Sequence, residues 1–199
     1  ARFVRSRNVS LTQRVRVETA SGIISLTTER YGCVEVDMGK PKFEPSEIPF
    51  TPRATTKIQN AYHLDVNGTP VQLYVANMGN PHAVVLVDDV VNAPVQKLGA
   101  EIESHAQFPE RVNVGFMQIV DSQHIHLRVF ERGTGETLAC GTGACAAVVA
   151  GVRLGLLDAG ELIEVNLPGG QLFIQWQPGE DVRMTGSYPH LQLPTIRRL

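Results

Sequence analysis

Short alternations of hydrophobic and polar residues run along most of the chain, which is the pattern of half-buried β-strands. Turn-forming sequences such as Asn67-Gly68, Pro168-Gly169-Gly170 and Pro178-Gly179 separate several of these stretches. Their density predicts a mainly antiparallel sheet. The predicted strands are Arg14–Thr19, Gly22–Thr28, Cys33–Met38, Ala61–Val66, Val71–Asn77, His82–Val87, Val114–Val120, His124–Phe130, Leu162–Asn166, Leu172–Trp176 and Val182–Thr185.

Helical spacing is confined to two stretches. Val95–His105 places Leu98 and Ile102 four residues apart beside acidic residues, which predicts a surface helix. Gly143–Leu154 is apolar on nearly every side, so we expect it at the centre of a shell of strands. Between the predicted strands, Lys40–Pro52 contains four prolines and no periodicity, and it is predicted to be a linker between two units.

The composition favours a small-molecule ligand over a polymer or a membrane. The 199 residues are 43% hydrophobic, enough for one large domain or two small ones. The net charge of −2, without a block of Lys or Arg, gives no electrostatic support for a nucleic acid or a membrane surface. Apolar runs such as Ala144–Ala150 are too short to span a bilayer. Three cysteines without a Cys-x-x-Cys pair predict neither a disulfide framework nor a zinc site, which favours the reducing cytoplasm.

One thiol stands in a context that suggests chemistry. Cys140 follows Glu131-Arg132-Gly133-Thr134-Gly135 and directly precedes Gly141-Thr142-Gly143, at the start of the predicted buried helix. A helix N-terminus offers free N–H groups and a positive dipole end, which stabilise a thiolate and hold a carboxylate. This predicts that Cys140 is the most easily alkylated of the three cysteines near neutral pH.

Each of these residues also has an ordinary structural interpretation. A free cysteine is often a buried packing residue, and a Glu–Arg pair is often a solvated ion pair. His82 fits a capped turn, while Asn80 and Asn113 fit turns. The glycines do not form a dinucleotide site, because no acidic residue follows at the expected distance in a βαβ unit.

Four segments together resemble the diaminopimelate epimerases in order and spacing. They are Met78-Gly79-Asn80-Pro81-His82, Glu110–Phe116, Glu131–Ala147 and Leu167-Pro168-Gly169-Gly170. The resemblance implies an α+β fold of two pseudo-symmetric domains, each of antiparallel strands around a central helix. The first domain is then incomplete in this chain.

The resemblance also implies a reaction and a set of site residues. The reaction is the epimerisation of LL-2,6-diaminopimelate to the meso form, for lysine and cell-wall precursor synthesis, by two thiols and without a cofactor or a bound metal ion. Cys140 is implied as one thiol, with His82 and Glu131 tuning the pair. The implied substrate-binding residues are Asn80, Asn113, Glu131, Arg132, Gly141 and Thr142.

The family's other thiol belongs to a Cys-Gly-Asn-Gly-Ala-Arg-Cys motif that is absent from these 199 residues. The resemblance places that motif shortly before Ala1, and the chain opens without Met as if inside a helix, so we expect about 75 to 80 residues to be missing. The expected layout is residues 1–40 as a remnant of the first domain, 41–185 as the second domain, and 186–199 as a tail that returns to the first. A homodimer is a further expectation.

Two alternatives stay open at this point. A proline-racemase-like enzyme would use the same two-thiol logic, but Glu131 and Arg132 favour a substrate with a second charged end. A non-catalytic fragment that retains half of a ligand cradle would bind without turnover. The chain alone is expected to be inactive. A hydrolase built on Cys140 and His82 is a weaker third.

Overall fold

The computed structural model describes residues 14–19, 22–28, 33–53, 57–58 and 61–187. The predicted helix at Phe3 and Val4 and nearly all of the predicted tail lie outside these residues. The strands of the described part are β1 Arg14–Thr19, β2 Gly22–Thr28, β3 Cys33–Asp37, β4 Lys57–Ile58, β5 Ala61–Val66, β6 Thr69–Asn77, β7 Pro81–Leu86, β8 Asn113–Asp121, β9 His124–Glu131, β10 Gly135–Thr137, β11 Leu162–Leu167, β12 Gly170–Gln175 and β13 Arg183–Ser187.

These strands form one sheet in the order β1-β2-β3-β13-β12-β11-β9-β8-β7-β6-β5-β4, with β10 paired to β9. Pairs β7–β8 and β9–β11 are parallel and the other described pairs are antiparallel. The predicted mainly antiparallel sheet is therefore confirmed. The predicted turn at Asn67-Gly68 is confirmed too, since both residues have left-handed backbone, with φ of 52° and 83°, as a tight hairpin turn requires.

Both predicted helices are present: α1 spans Val95–Glu103 and α2 spans Gly141–Arg153. Every residue of α2 from Gly143 to Val152 is buried. The helix contacts β6, β7, β8, β9 and β12, and its alanines and glycines let these strands approach closely. The sheet thus wraps around an apolar helix, as the sequence predicted.

A second core lies on the other face of the middle strands, beneath α1. Burial on both faces explains why Pro81–Val85 of β7 are all buried. Ile48 and Phe50 belong to this core, and Phe50 stacks on Phe108 with ring centroids 4.7 Å apart. The prediction of a linker is therefore wrong for this part of Lys40–Pro52, which is a packed segment with a short 3-10 helix at Pro45–Glu47. No helix in the described part of the chain is long and apolar enough to cross a membrane.

Candidate active site

The parallel pairing of β7 with β8 brings two of the motif segments, Met78–His82 and Glu110–Phe116, to one end of the sheet. His82 pairs with Asn113 across this ladder. Asn80 lies just before β7, and its amide oxygen is 2.9 Å from Nε2 of His82. The antiparallel partner β9 ends at Glu131 next to the start of β8. Strand pairing therefore gathers residues that lie about 50 positions apart in the sequence.

Asn113 connects two parts of this site by side-chain hydrogen bonds. Its side chain is 3% exposed, its Nδ2 donates to the Pro81 carbonyl at 2.9 Å, and its Oδ1 accepts from the Arg132 N–H at 3.0 Å. Both ends of the amide are thus engaged inside the chain. Asn113 fixes β7 and the residue after β9 relative to each other, and its predicted contact with substrate stays a prediction.

The Cys140 thiol lies at the N-cap of α2, between Glu131 and the first turn of the helix. Its sulfur is 3.7 Å from the Thr142 hydroxyl oxygen. A β-carbon on Gly143 would lie 3.2 Å from that sulfur, so glycine lets the thiol lie against the helix without a tight contact. The Gly143 N–H interacts with the sulfur and lowers the pKa of the thiol. The geometry of this contact is not that of an ordinary N-cap hydrogen bond.

The loop that carries Cys140 is held from outside by the turn between β11 and β12. The Gly169 N–H donates to the Leu138 carbonyl at 2.7 Å, and a β-carbon on Gly169 would lie 2.9 Å from the same oxygen. The Pro168-Gly169 turn therefore helps to place the thiol loop. The family resemblance of this segment did not by itself indicate that function.

The electrostatics of Cys140 differ from the sequence-based expectation. Burial, with only 6% of the residue exposed, and then the negative charge of Glu131 raise the pKa of the Cys140 thiol to about 11. The prediction of a thiolate stabilised by the helix start is therefore wrong for this structure. The group is a protonated thiol at neutral pH, poised to donate a proton. Cys33 is half-buried and Cys145 is fully buried, so Cys33 is the most exposed of the three thiols, and burial does not support the prediction that Cys140 is alkylated most easily.

Glu131 is placed against the thiol by the short strand β10. Gly135 pairs with Glu131 across β9 and β10, and the Thr137 hydroxyl donates to Oε1 of Glu131 at 2.5 Å. Neither β10 nor Thr137 was predicted from the sequence. The three-residue strand lies in a Gly- and Thr-rich run that reads as a loop, and only the register shows that Thr137 faces the carboxylate.

His82 and Arg132 form the second part of the site. His82 is buried, and burial together with the charge of Arg132 lowers the pKa of its imidazole to about 3. The ring is therefore neutral at physiological pH. With the Asn80 oxygen facing Nε2, that nitrogen carries the proton and Nδ1 is left as an acceptor. Arg132 is exposed, and its Nη1 donates to the Glu110 carbonyl at 2.9 Å.

A separate cavity of about 450 Å³ lies between β2, β3, β12 and β13. Its lining includes Glu35, Asp37, Trp176 and Arg183, and none of the predicted site residues. The convergence of Asn80, His82, Glu131, Arg132 and Cys140, rather than this cavity, identifies the candidate active site. Within the described residues, no cluster of three or more His, Cys, Asp or Glu side chains is arranged to hold a metal ion.

Removal of the Glu131 charge should make Cys140 more reactive. Since the carboxylate raises the thiol pKa, we expect Glu131→Gln to speed alkylation of Cys140 by about three- to tenfold at about pH 8. The rate in the unaltered chain should keep rising with pH towards 11, because only the thiolate reacts. Mass mapping after timed iodoacetamide treatment of the chain measures both effects.

The matched control for this experiment is Glu136→Gln, since Glu136 pairs with Arg128 at 2.6 Å instead of with the thiol. That variant should leave the Cys140 rate unchanged. Equal rates for the Glu131→Gln and unaltered chains would show that the carboxylate does not govern the thiol.

The fold is shared with solved structures of a probable proline racemase and a hydroxyproline epimerase. The chain resembles the crystal structure of a probable proline racemase from Agrobacterium radiobacter with bound carbonate, with a TM-score of 0.65 and 17% sequence identity. The match covers 93% of this chain and 61% of that chain. At this identity the likeness is one of fold, and it confirms the predicted α+β class of strands wrapped around a helix.

Matches to related sequences identify the family within this fold class. The profile of the diaminopimelate epimerase family matches residues 74–191. The chain is 75% identical over 186 residues to the diaminopimelate epimerase of Psychrobacter cryohalolentis, and 74% identical over the same length to that of Psychrobacter arcticus. Each match covers 94% of this chain and 63% of the relative, so the chain spans slightly less than two thirds of these curated relatives. The chain belongs to the diaminopimelate epimerase family.

Proposed function

We propose that this chain supplies Cys140 as one of two acid/base thiols with which a full-length diaminopimelate epimerase interconverts the LL and meso isomers without a cofactor. The observation that carries the proposal is the meeting of the Cys140 thiol with the Glu131 carboxylate at the start of α2. Membership of the family supplies the substrate class.

Inversion of an α-carbon needs proton removal on one face and proton delivery on the other. In one direction, a second thiolate from outside these 199 residues takes the α-proton. The S–H bond of Cys140 then breaks, and its proton forms the new C–H bond on the opposite face. The two thiols exchange protonation states, and the reverse reaction restores them.

The surroundings of Cys140 suit the donor half of this cycle. Glu131 disfavours the thiolate, which keeps the thiol protonated before reaction and makes the thiolate a strong base afterwards. The N–H groups of Gly141 and Thr142 lie in the first turn of α2, where they have no partner within the helix. They suit the substrate carboxylate, on which negative charge develops. Neutral His82, with Nδ1 as an acceptor, would serve the second thiol.

The distal end of the substrate would be recognised by the Glu131-Arg132 turn. A guanidinium fork fits a carboxylate in two-point contact, and the Glu110 carbonyl holds one edge of the Arg132 fork in place. Asn80 is half-exposed, with its amide oxygen on His82, and would contribute its amide N–H groups. A site that recognises a second charged end suits diaminopimelate, which has one, and does not suit proline, which has none.

The experiment that tests this function uses the chain joined to the part of the P. cryohalolentis relative outside the matched span, which we call the full-length chimera. The chimera should interconvert the diaminopimelate isomers and leave L-proline unchanged. Arg132→Lys should raise KM for diaminopimelate by about tenfold or more, because an ammonium cannot form the two-point contact. Chiral chromatography of timed samples gives kcat and KM.

The control is Arg183→Lys, since Arg183 is exposed on β13 and pairs loosely with Glu35 at 3.6 Å. It should leave KM unchanged. Inversion of proline at a comparable rate would favour a proline-racemase-like activity, and binding of diaminopimelate without turnover would favour a ligand-binding role. An unchanged KM in Arg132→Lys would remove Arg132 from the site.

We also propose a cytoplasmic enzyme of lysine synthesis that forms homodimers. The thiols of Cys33, Cys140 and Cys145 are free in the structure, which supports a reducing compartment. Light scattering of the full-length chimera tests the dimer.

A further inference from the structure

Glu103 is a buried carboxylate outside every motif that the sequence suggested. It is the last residue of α1, is 6% exposed, and its Oε1 accepts from the Gly133 N–H at 2.8 Å and from Nη1 of Arg111 at 3.3 Å. Its backbone carbonyl also accepts from the Val112 N–H at 3.3 Å. One residue therefore ties the segment before β8 to the turn after β9.

The position of this carboxylate is electrostatically unfavourable on its own helix. A helix C-terminus carries partial negative charge, so an acidic side chain in the last turn of α1 is repelled by the carbonyl ends of the terminal peptide units. Burial adds a desolvation cost. The contacts to Gly133 and Arg111 compensate for both, which indicates that Glu103 is placed for the turn it holds rather than for α1.

That turn carries the proposed recognition residue for the distal end of the substrate. Gly133 directly follows Arg132 and has left-handed backbone, with φ of 73°. The Arg132 N–H is held by Asn113, and its guanidinium by the Glu110 carbonyl. Because the Gly133 N–H is bound to Glu103, hydrogen bonds hold Arg132 at three points. These are its own N–H, the N–H of the next residue, and its guanidinium group.

We infer that Glu103 is a positioning residue for substrate recognition, which acts by holding the Arg132-Gly133 turn so that the Arg132 fork meets the distal carboxylate of a diamino dicarboxylic acid. The inference rests on the proposed function. Loss of the tie leaves Cys140 and Glu131 in place, so it weakens binding in the ground state and the transition state alike. Such a loss raises KM and spares kcat.

The test uses the full-length chimera and its Glu103→Ala and Glu103→Gln variants. We expect Glu103→Ala to raise KM for diaminopimelate by about tenfold with kcat within about threefold. Glu103→Gln keeps an oxygen acceptor for Gly133 but loses the charge, so its KM should rise by only about two- to fivefold. Glu101→Ala, a half-exposed carboxylate on the same helix, should change neither constant.

The split between KM and kcat separates positioning from simple destabilisation. A purely structural role would lower the melting temperature and the active fraction, and so lower apparent kcat at unchanged KM; that result would overturn the inference, as would an unchanged KM in a folded Glu103→Ala. If Glu103→Ala does not fold, an unchanged KM in Glu103→Gln overturns it and a raised KM supports it. An unaltered chimera without epimerase activity would instead refute the proposed function.

Discussion

Replacing Cys140 by Ala in the full-length chimera should lower kcat/KM for diaminopimelate by about a thousandfold or more. Among the residues that the structure describes, no neighbouring group can replace the thiol as a proton donor to that face of the α-carbon. Glu131 is already hydrogen-bonded to Thr137, and His82 is neutral and hydrogen-bonded to Asn80. Removal of one member of a catalytic unit commonly costs several orders of magnitude. Steady-state kinetics with the LL isomer measure the loss.

Cys145→Ala is the matched control for this variant. Cys145 lies inside α2 and is fully buried, so its replacement removes packing without touching the reaction. We expect a loss of about 1 kcal/mol in the free energy of unfolding and kcat/KM within about threefold of the unaltered protein. Comparable activity losses in the two variants would show that Cys140 is a packing residue.

The 199-residue chain, tested by itself, should not interconvert the LL and meso isomers at an appreciable rate. Of its three cysteines only Cys140 lies with the other site residues, since Cys33 is on β3 and Cys145 is within the core. One thiol addresses one face of the α-carbon. We therefore expect a rate lower by several orders of magnitude than that of the full-length chimera.

Slow α-deuterium exchange by the chain without inversion would agree with a single surviving acid/base group. The sample must first be shown by intact mass to contain these residues alone. Rapid inversion by such a sample would contradict the two-thiol account.

The regular parts of the fold were predictable because their patterns are local. An all-apolar run such as Ala144–Ala150 can be stable only inside a shell, and Asn67-Gly68 favours a tight hairpin whatever surrounds it. The burial of Ile48 and Phe50 was not predictable, because it depends on distant partners such as Phe108 and the prolines dominate the local pattern.

In the candidate site, too, local features could be predicted from the sequence, and features that depend on packing could not. The start of α2 and the neighbouring glycines could be read from the sequence, and so could the family motifs. The protonation of Cys140 could not, because the helix dipole favours a thiolate while burial and Glu131 together outweigh it. Both of these stronger effects depend on how β9, β10 and α2 pack. Glu103 gave no sequence signal, since its partner Gly133 lies 30 residues away.

The most direct test of the central claim, that Cys140 delivers or removes the proton on one face, is α-deuterium incorporation with isomer analysis in deuterated buffer. The full-length chimera, given the LL isomer, should form meso product in which the inverted centre carries one solvent deuterium. Cys140→Ala should form no such product over the same time. Deuterated meso product from Cys140→Ala at a rate close to that of the unaltered chimera would contradict the account.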